Sequence, residues 1–211
     1  LIAAGTAATL PRSFAQDSSW PNKPLRLITG GVGSVPDVRA RWVAERLSRA
    51  LGQTIVVENK GGAGGGIGLQ EMARSAPDGY TLGVVHQGTL AVNPHLYANT
   101  GYDALKDFAP ITRIGAGPLL LTVHPGVAAT SVQELIALHK SRPGSLSYGT
   151  PGIGTPPHMA SELFLRAAGI GATHVPYKGG GPLMADLIGG QVAWTLEGPA
   201  VQTPHVLAGR L

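Results

Sequence analysis

Ser147-Tyr148-Gly149-Thr150-Pro151-Gly152-Ile153-Gly154-Thr155-Pro156-Pro157-His158-Met159, read together with His174-Val175-Pro176-Tyr177-Lys178-Gly179, decides the fold. Each run starts as a short strand and ends in a Gly/Thr/Pro-rich turn that opens onto a helix. Thr155 reads as an N-cap with Pro156 at the first helical position. Turns of this kind aim free backbone N–H groups from the positive end of a helix, which suits a carboxylate or a phosphate. No nucleophile with its base accompanies either run, so the first inference is anion capture without chemistry.

The same grammar recurs outward from these runs. Residues 25–29 are β-like and break at Gly30-Gly31-Val32-Gly33; Pro36 fits a first helical turn, and Ala40, Val43, Ala44, Leu47, Ala50 and Leu51 form one apolar stripe at helical spacing. Residues 54–58 read as a buried strand, followed by a glycine-rich loop at 61–66 and a helix over 67–74. A Pro77-Asp78-Gly79 turn leads to a strand at 81–85 and a helix at 89–96, with two more strands at 108–114 and 119–123. Ser131 through Glu134 is a capping box, opening a helix with Val132, Leu135, Ile136 and His139 on one face. Strands at 146–148, 172–175 and 192–196 then alternate with helices at 156 onward, 182–187 and 199–208.

Such alternation predicts an α/β fold with mostly parallel sheets, and the adjoining strands near 119–125 predict a crossover between two domains. In open α/β sheets ligands bind beyond the carboxyl ends of the strands. The loops at 29–37, 86–89, 150–158 and 175–179 all hold that position.

Composition bounds the rest. With 31 glycines, 17 prolines and only 13% charged residues, backbone more than charged side chains builds the surfaces. The apolar periodicity persists through most of the chain, which excludes a disordered polymer. Residues 1–10 are apolar and small, and Ser13-Phe14-Ala15 suits a signal-peptidase site before Gln16, so residues 1–15 are expected to be part of a signal peptide for export to the periplasm. The absence of cysteine permits export without arguing for it. A net charge of +4 is scattered; Arg39, Arg41, Arg46 and Arg49 share a helix but read as a solvated face, and no nucleic-acid motif accompanies them.

Several chemistries fail on the motifs. Gly31-Val32-Gly33-Ser34-Val35-Pro36 has proline where a dinucleotide fingerprint wants glycine, and no phosphate-binding Gly-x-x-x-x-Gly-Lys-Ser/Thr occurs. Histidines 86, 95, 124, 139, 158, 174 and 205 show no metal-ligand spacing. There is no Gly-x-Ser-x-Gly elbow. His139 reads as a core-edge histidine, and His158 as either a ligand donor or a local packing residue. No cofactor and no metal are expected.

Longer motifs carry a resemblance. Trp20 through Ile28, Val56-Val57-Glu58-Asn59-Lys60-Gly61-Gly62-Ala63-Gly64-Gly65, Ala76-Pro77-Asp78-Gly79-Tyr80-Thr81-Leu82, Asn93-Pro94, Lys106-Asp107-Phe108-Ala109-Pro110, Gly154-Thr155-Pro156-Pro157-His158 and His174 through Gly179 appear in order. Together they resemble the Bug family, the extracytoplasmic solute receptors of tripartite tricarboxylate transporters. The resemblance implies a periplasmic binding protein, type II-like, in which two α/β domains close on a ligand cleft. It places the first domain at 20–122 and the second at 123–211. The family chain then returns to complete the first domain, so the end at Leu211 implies an exposed strand edge and apolar surface in the first sheet.

By motif position, the resemblance assigns Gly33, Ser34 and Asp37 to the first ligand loop, although Val35 and Pro36 lack the hydroxyls usual there. Thr89 fits a polar pocket position, with His86 and Gln87 replacing small residues. Thr150, Gly154, Thr155 and His158 match the second-domain anion loop, Tyr177 and Lys178 the motif after the next strand, and Glu197 stands where Asp is usual. The implied partners are a small carboxylate and membrane permease subunits, with the receptor monomeric and not an enzyme. Two alternatives remain open on sequence: a periplasmic sensor partnering a membrane kinase, and a doubly wound α/β enzyme.

Overall fold

The computed structural model describes residues 20–211, so the expected signal segment at 1–15 lies outside the described residues. Strand β1 (Leu25–Thr29) is flanked by β2 (Ile55–Asn59) and β3 (Thr81–Val84), both parallel to it, in the order β2-β1-β3. Helix α1 (Val35–Leu51) connects β1 to β2, and α2 (Gly66–Ala73) connects β2 to β3. Ser34 caps α1 by accepting the Asp37 N–H, and Pro36 sits in its first turn. Ala40 and Ala44, small enough for close helix–sheet contact, pack on Leu25, Leu27, Ile55 and Val84.

The second sheet has the order β4-β7-β5-β6, built from β4 (Leu120–Val123), β5 (Ser147–Thr150), β6 (Thr173–Pro176) and β7 (Trp194–Glu197). β5 is parallel to β6 and β7; β4 runs antiparallel to β7. One face carries α4 (Val132–Ser141) and α5 (Pro156–Ala168), and its core joins Trp194, Tyr148, Leu135 and Leu165. The other face carries α6 (Gly180–Ile188) and α7 (Pro199–Leu207), with Leu183, Leu187, Val192 and Val201. Covering both faces is what allows parallel strands to be apolar on both sides. The result is an α/β fold of two sheets.

Four expectations need correcting. Residues 108–119 contain no strand, and Ile111 and Ile114 are exposed; prolines at 110 and 118 interrupt the ladder, and β-branched residues form strands only with a neighbour to pair. The helix at 89–96 is a π turn (Gly88–Val92) running into the short α3 (Asn93–Leu96). Val132 is exposed, so the buried face of α4 starts at Leu135. The capping box is also rearranged: Ser131 accepts the Glu134 N–H, while the Glu134 carboxylate turns to the N–H and hydroxyl of Thr130. No helix among the described residues is long and apolar enough to cross a membrane.

Candidate ligand site between the two sheets

The loops after the parallel strands of the two sheets meet face to face. Gly181 N–H donates to the Val32 carbonyl at 2.9 Å, and Tyr97 Oη donates to the Ile153 carbonyl at 3.3 Å. A Cβ at Gly31 would fall 2.1 Å from the Lys178 carbonyl oxygen, and one at Gly88 would fall 2.3 Å from that of Gly154. Only glycine lets backbone approach backbone this closely.

In the first loop the side chains build the loop itself. Asp37 accepts the Gly33 N–H at 2.9 Å and the Asn59 amide at 2.8 Å, and pairs with Arg41 at 3.1 Å. Asn59 also donates to the Gly30 carbonyl. Ser34 is spent as a cap, so Gly33, Ser34 and Asp37 present mainly backbone to the cleft.

After β3, Thr89 donates its N–H to His86 Nδ1 at 3.3 Å and its hydroxyl to the His86 carbonyl at 2.7 Å. An accepting Nδ1 leaves the proton on Nε2. Burial pushes the His86 pKa down to about 4, so this imidazole is a neutral donor at pH 7. Thr29, Gly30, Pro36, Gly65, His86 and Thr89 help line a pocket with room for about one water. Gln87 is exposed beside it.

The loop after β5 is wired from within. Thr155 donates to the Gly152 carbonyl at 2.6 Å and caps α5 by accepting the His158 N–H at 3.5 Å. Gly154 N–H donates to His158 Nδ1 at 3.3 Å. Thr150 Oγ1 lies 2.7 Å from His174 Nε2 and also accepts the Gly152 N–H. His158 and His174 stack with centroids 4.6 Å apart.

The remaining expected residues divide. Tyr177 donates its hydroxyl to Asp186 on α6 at 2.7 Å, and burial pushes the phenol up to about 12. Lys178 keeps its side chain exposed and contributes its carbonyl to the close approach at Gly31. Glu197 is 2% exposed; its Oε1 accepts the Gly198 N–H, and Oε2 has no partner among the described residues. Burial raises the Glu197 pKa to about 7.

Sequence reading missed Asn93 and His174 as site residues. Asn93 is 1% exposed, donates to the Ala63 carbonyl at 3.0 Å, and leaves Oδ1 unpartnered next to Gly154. Its one sequence signal is the Asn-Pro pair within the family resemblance. Among the described residues no group of three or more His, Asp or Glu converges as a metal site.

Residues 39–211 match the model of the tripartite tricarboxylate transporter family receptor, TctC. The chain belongs to that family. TctC proteins are solute receptors rather than enzymes, and this chain is 37% identical over 195 residues to protein BugT of Bordetella pertussis, covering 92% of the chain and 60% of BugT. A solved periplasmic transporter is similar at 39% identity and a TM-score of 0.85, over 91% of this chain and 65% of that one. The R. palustris protein Rpa4515, solved with adipate, is similar at 36% identity and a TM-score of 0.88, over 90% and 64%. The chain therefore spans less than two thirds of each of these relatives.

Proposed function

We propose that this TctC-family chain captures a small organic carboxylate between its two sheets and delivers it to the membrane permease of a tripartite tricarboxylate-type transporter. The observation that carries the reading is the convergence of the loops after β1, β3, β5, β6 and β7 on one cleft, with backbone pressed against backbone at Gly31, Gly33 and Gly88. Backbone N–H groups at the starts of α1 and α5 supply the positive end for a carboxylate, with the His86 Nε2–H as a side-chain donor near them. A relative solved with adipate supports a dicarboxylate of that size. Closure about the crossover near β4 buries the ligand, and the permease reads the closed form. The periplasm is the expected compartment, with residues 1–15 as the export leader, residues 20–122 and 123–211 as the two closing units, and a monomer as the working state.

Thermal unfolding of the full-length gene product against adipate, malate, citrate and acidic amino acids tests this. A ligand at 100 times its dissociation constant stabilises the folded state by about 2.7 kcal/mol. A selective upward shift supports the receptor reading. A folded protein with no shift from any carboxylate overturns it.

A further inference from the structure

His158 stands between the carboxylate site and a ladder of rings. Its Nδ1 accepts the Gly154 N–H at 3.3 Å, so in this state the ring is neutral and that amide, at the start of α5, is occupied. Asn93 Oδ1 lies against the same spot, 99% buried on its residue's 1% exposure, and lacks a donor. One amide is therefore blocked by an acceptor, and one acceptor waits beside it for a donor.

We propose that the carboxylate is captured together with one proton, taken up by His158. The inference rests on the receptor reading above and adds its ionic stoichiometry. A protonated imidazole cannot accept, so it releases Gly154 N–H to the ligand and donates from both nitrogens. The bound anion favours the charged ring, and the charged ring favours the anion.

The surroundings permit one charge and resist a second. His174, from β6, stacks on His158 and approaches the Thr150 hydroxyl with its Nε2. Burial, and then the neighbouring His158, hold the His174 pKa below its ordinary range. Glu162 lies one turn along α5 and accepts from Tyr148 of β5, placing a carboxylate on the same side. Across the cleft stand neutral His86 and Asn93, the first against Gly88 and the second against Gly154.

The test is isothermal calorimetry of the full-length protein with adipate at about pH 8 in HEPES and in Tris, whose ionisation heats differ. Adipate itself is fully ionised there, so a buffer-dependent heat reports protein protonation. The expected result is uptake of about one proton and an affinity that weakens about tenfold per pH unit on the alkaline side. H158N keeps an oxygen able to accept Gly154 N–H but does not titrate; it is expected to bind with no proton uptake and a flat pH profile. Equal heats in the two buffers, or proton uptake that survives in H158N, overturn the proposal while leaving the receptor reading intact. No heat with adipate at any pH, in a folded protein, overturns both for dicarboxylates.

Discussion

Trp194 on β7 donates its indole N–H to Nε2 of His139 on α4 at 3.0 Å, and the rings cross at 86°. His139 Nδ1 lies 3.1 Å from the Gly171 carbonyl, so Nδ1 carries the proton and both nitrogens are used. From Trp194 the stack continues to Tyr148 at 4.9 Å, to His174 at 4.8 Å and to His158 at 4.6 Å. The hydrophobic core of the second sheet is thereby joined ring by ring to the loop after β5 at the start of α5.

His139 is held neutral by burial, against a smaller opposing effect of the Gly171 carbonyl. Its folded pKa lies below the unfolded value of 6.5, so the unfolded chain binds the extra proton in acid. Its contribution is complete above that value and is lost as pH falls below it. Half-buried His86 and His174 act with the same sign. The urea midpoint is expected to drop between about pH 7.5 and pH 5.5, and H139Q, which cannot titrate, should show a smaller drop. An undiminished drop in H139Q would refute its part in this.

Glu197 acts with the opposite sign. Burial raises its folded pKa from 4.5 to about 7, so its contribution is present in acid and lost as pH rises through that window. E197Q should match the parent near the lower end and become relatively more stable toward pH 8. Parallel denaturation series at the two pH values measure the gap. A gap that does not widen with pH rejects a neutral Glu197 in the folded state.

Removing the buried Asp37 carboxylate takes an acceptor from the half-buried Gly33 N–H and Asn59 amide, while exposed Arg41 stays hydrated. D37A is expected to cost about 1–2 kcal/mol, because two hydrogen bonds that shape the loop are lost. Because the carboxylate shapes the first loop, ligand affinity should fall as well. Stability within a few tenths of the parent, read by urea unfolding, contradicts that role.

G31A places a methyl group into the Lys178 carbonyl, whereas a methyl at Gly171 meets nothing within 4 Å. Closure should therefore fail in G31A, with unfolding of each sheet retained and the ligand-induced thermal shift lost. G171A should keep both. Small-angle scattering with and without adipate reads the compaction directly; a G31A protein that still compacts removes this account of the closed cleft.

The strand–turn–helix units were legible because their signals are local. Ser34, Ser131 and Thr155 all cap the helices their positions announce, since a cap needs only the three residues after it. The 108–114 segment misled for the complementary reason: it has apolar, β-forming residues, but pairing is decided by a neighbour that local composition does not reveal. Thr150, Gly154 and His158 were legible as members of one strand-end turn and, through the resemblance, as candidates for an anion loop. What their atoms do depended on His174, which lies 24 residues from Thr150.

The sequence by itself determined an α/β chain whose strand-end loops are backbone-rich, because glycine, proline and threonine at strand ends constrain the chain over a few residues. It also carried the resemblance that places the chain among solute receptors. Only the tertiary structure decided that Asp37 and the Tyr177 hydroxyl serve the scaffold, that Gly31 must lack a side chain, and that Gly154 N–H is held by His158. The physical reason is that a hydrogen bond or a backbone-to-backbone contact depends on atoms a few ångströms apart in space, and those partners come from segments the chain order keeps far apart.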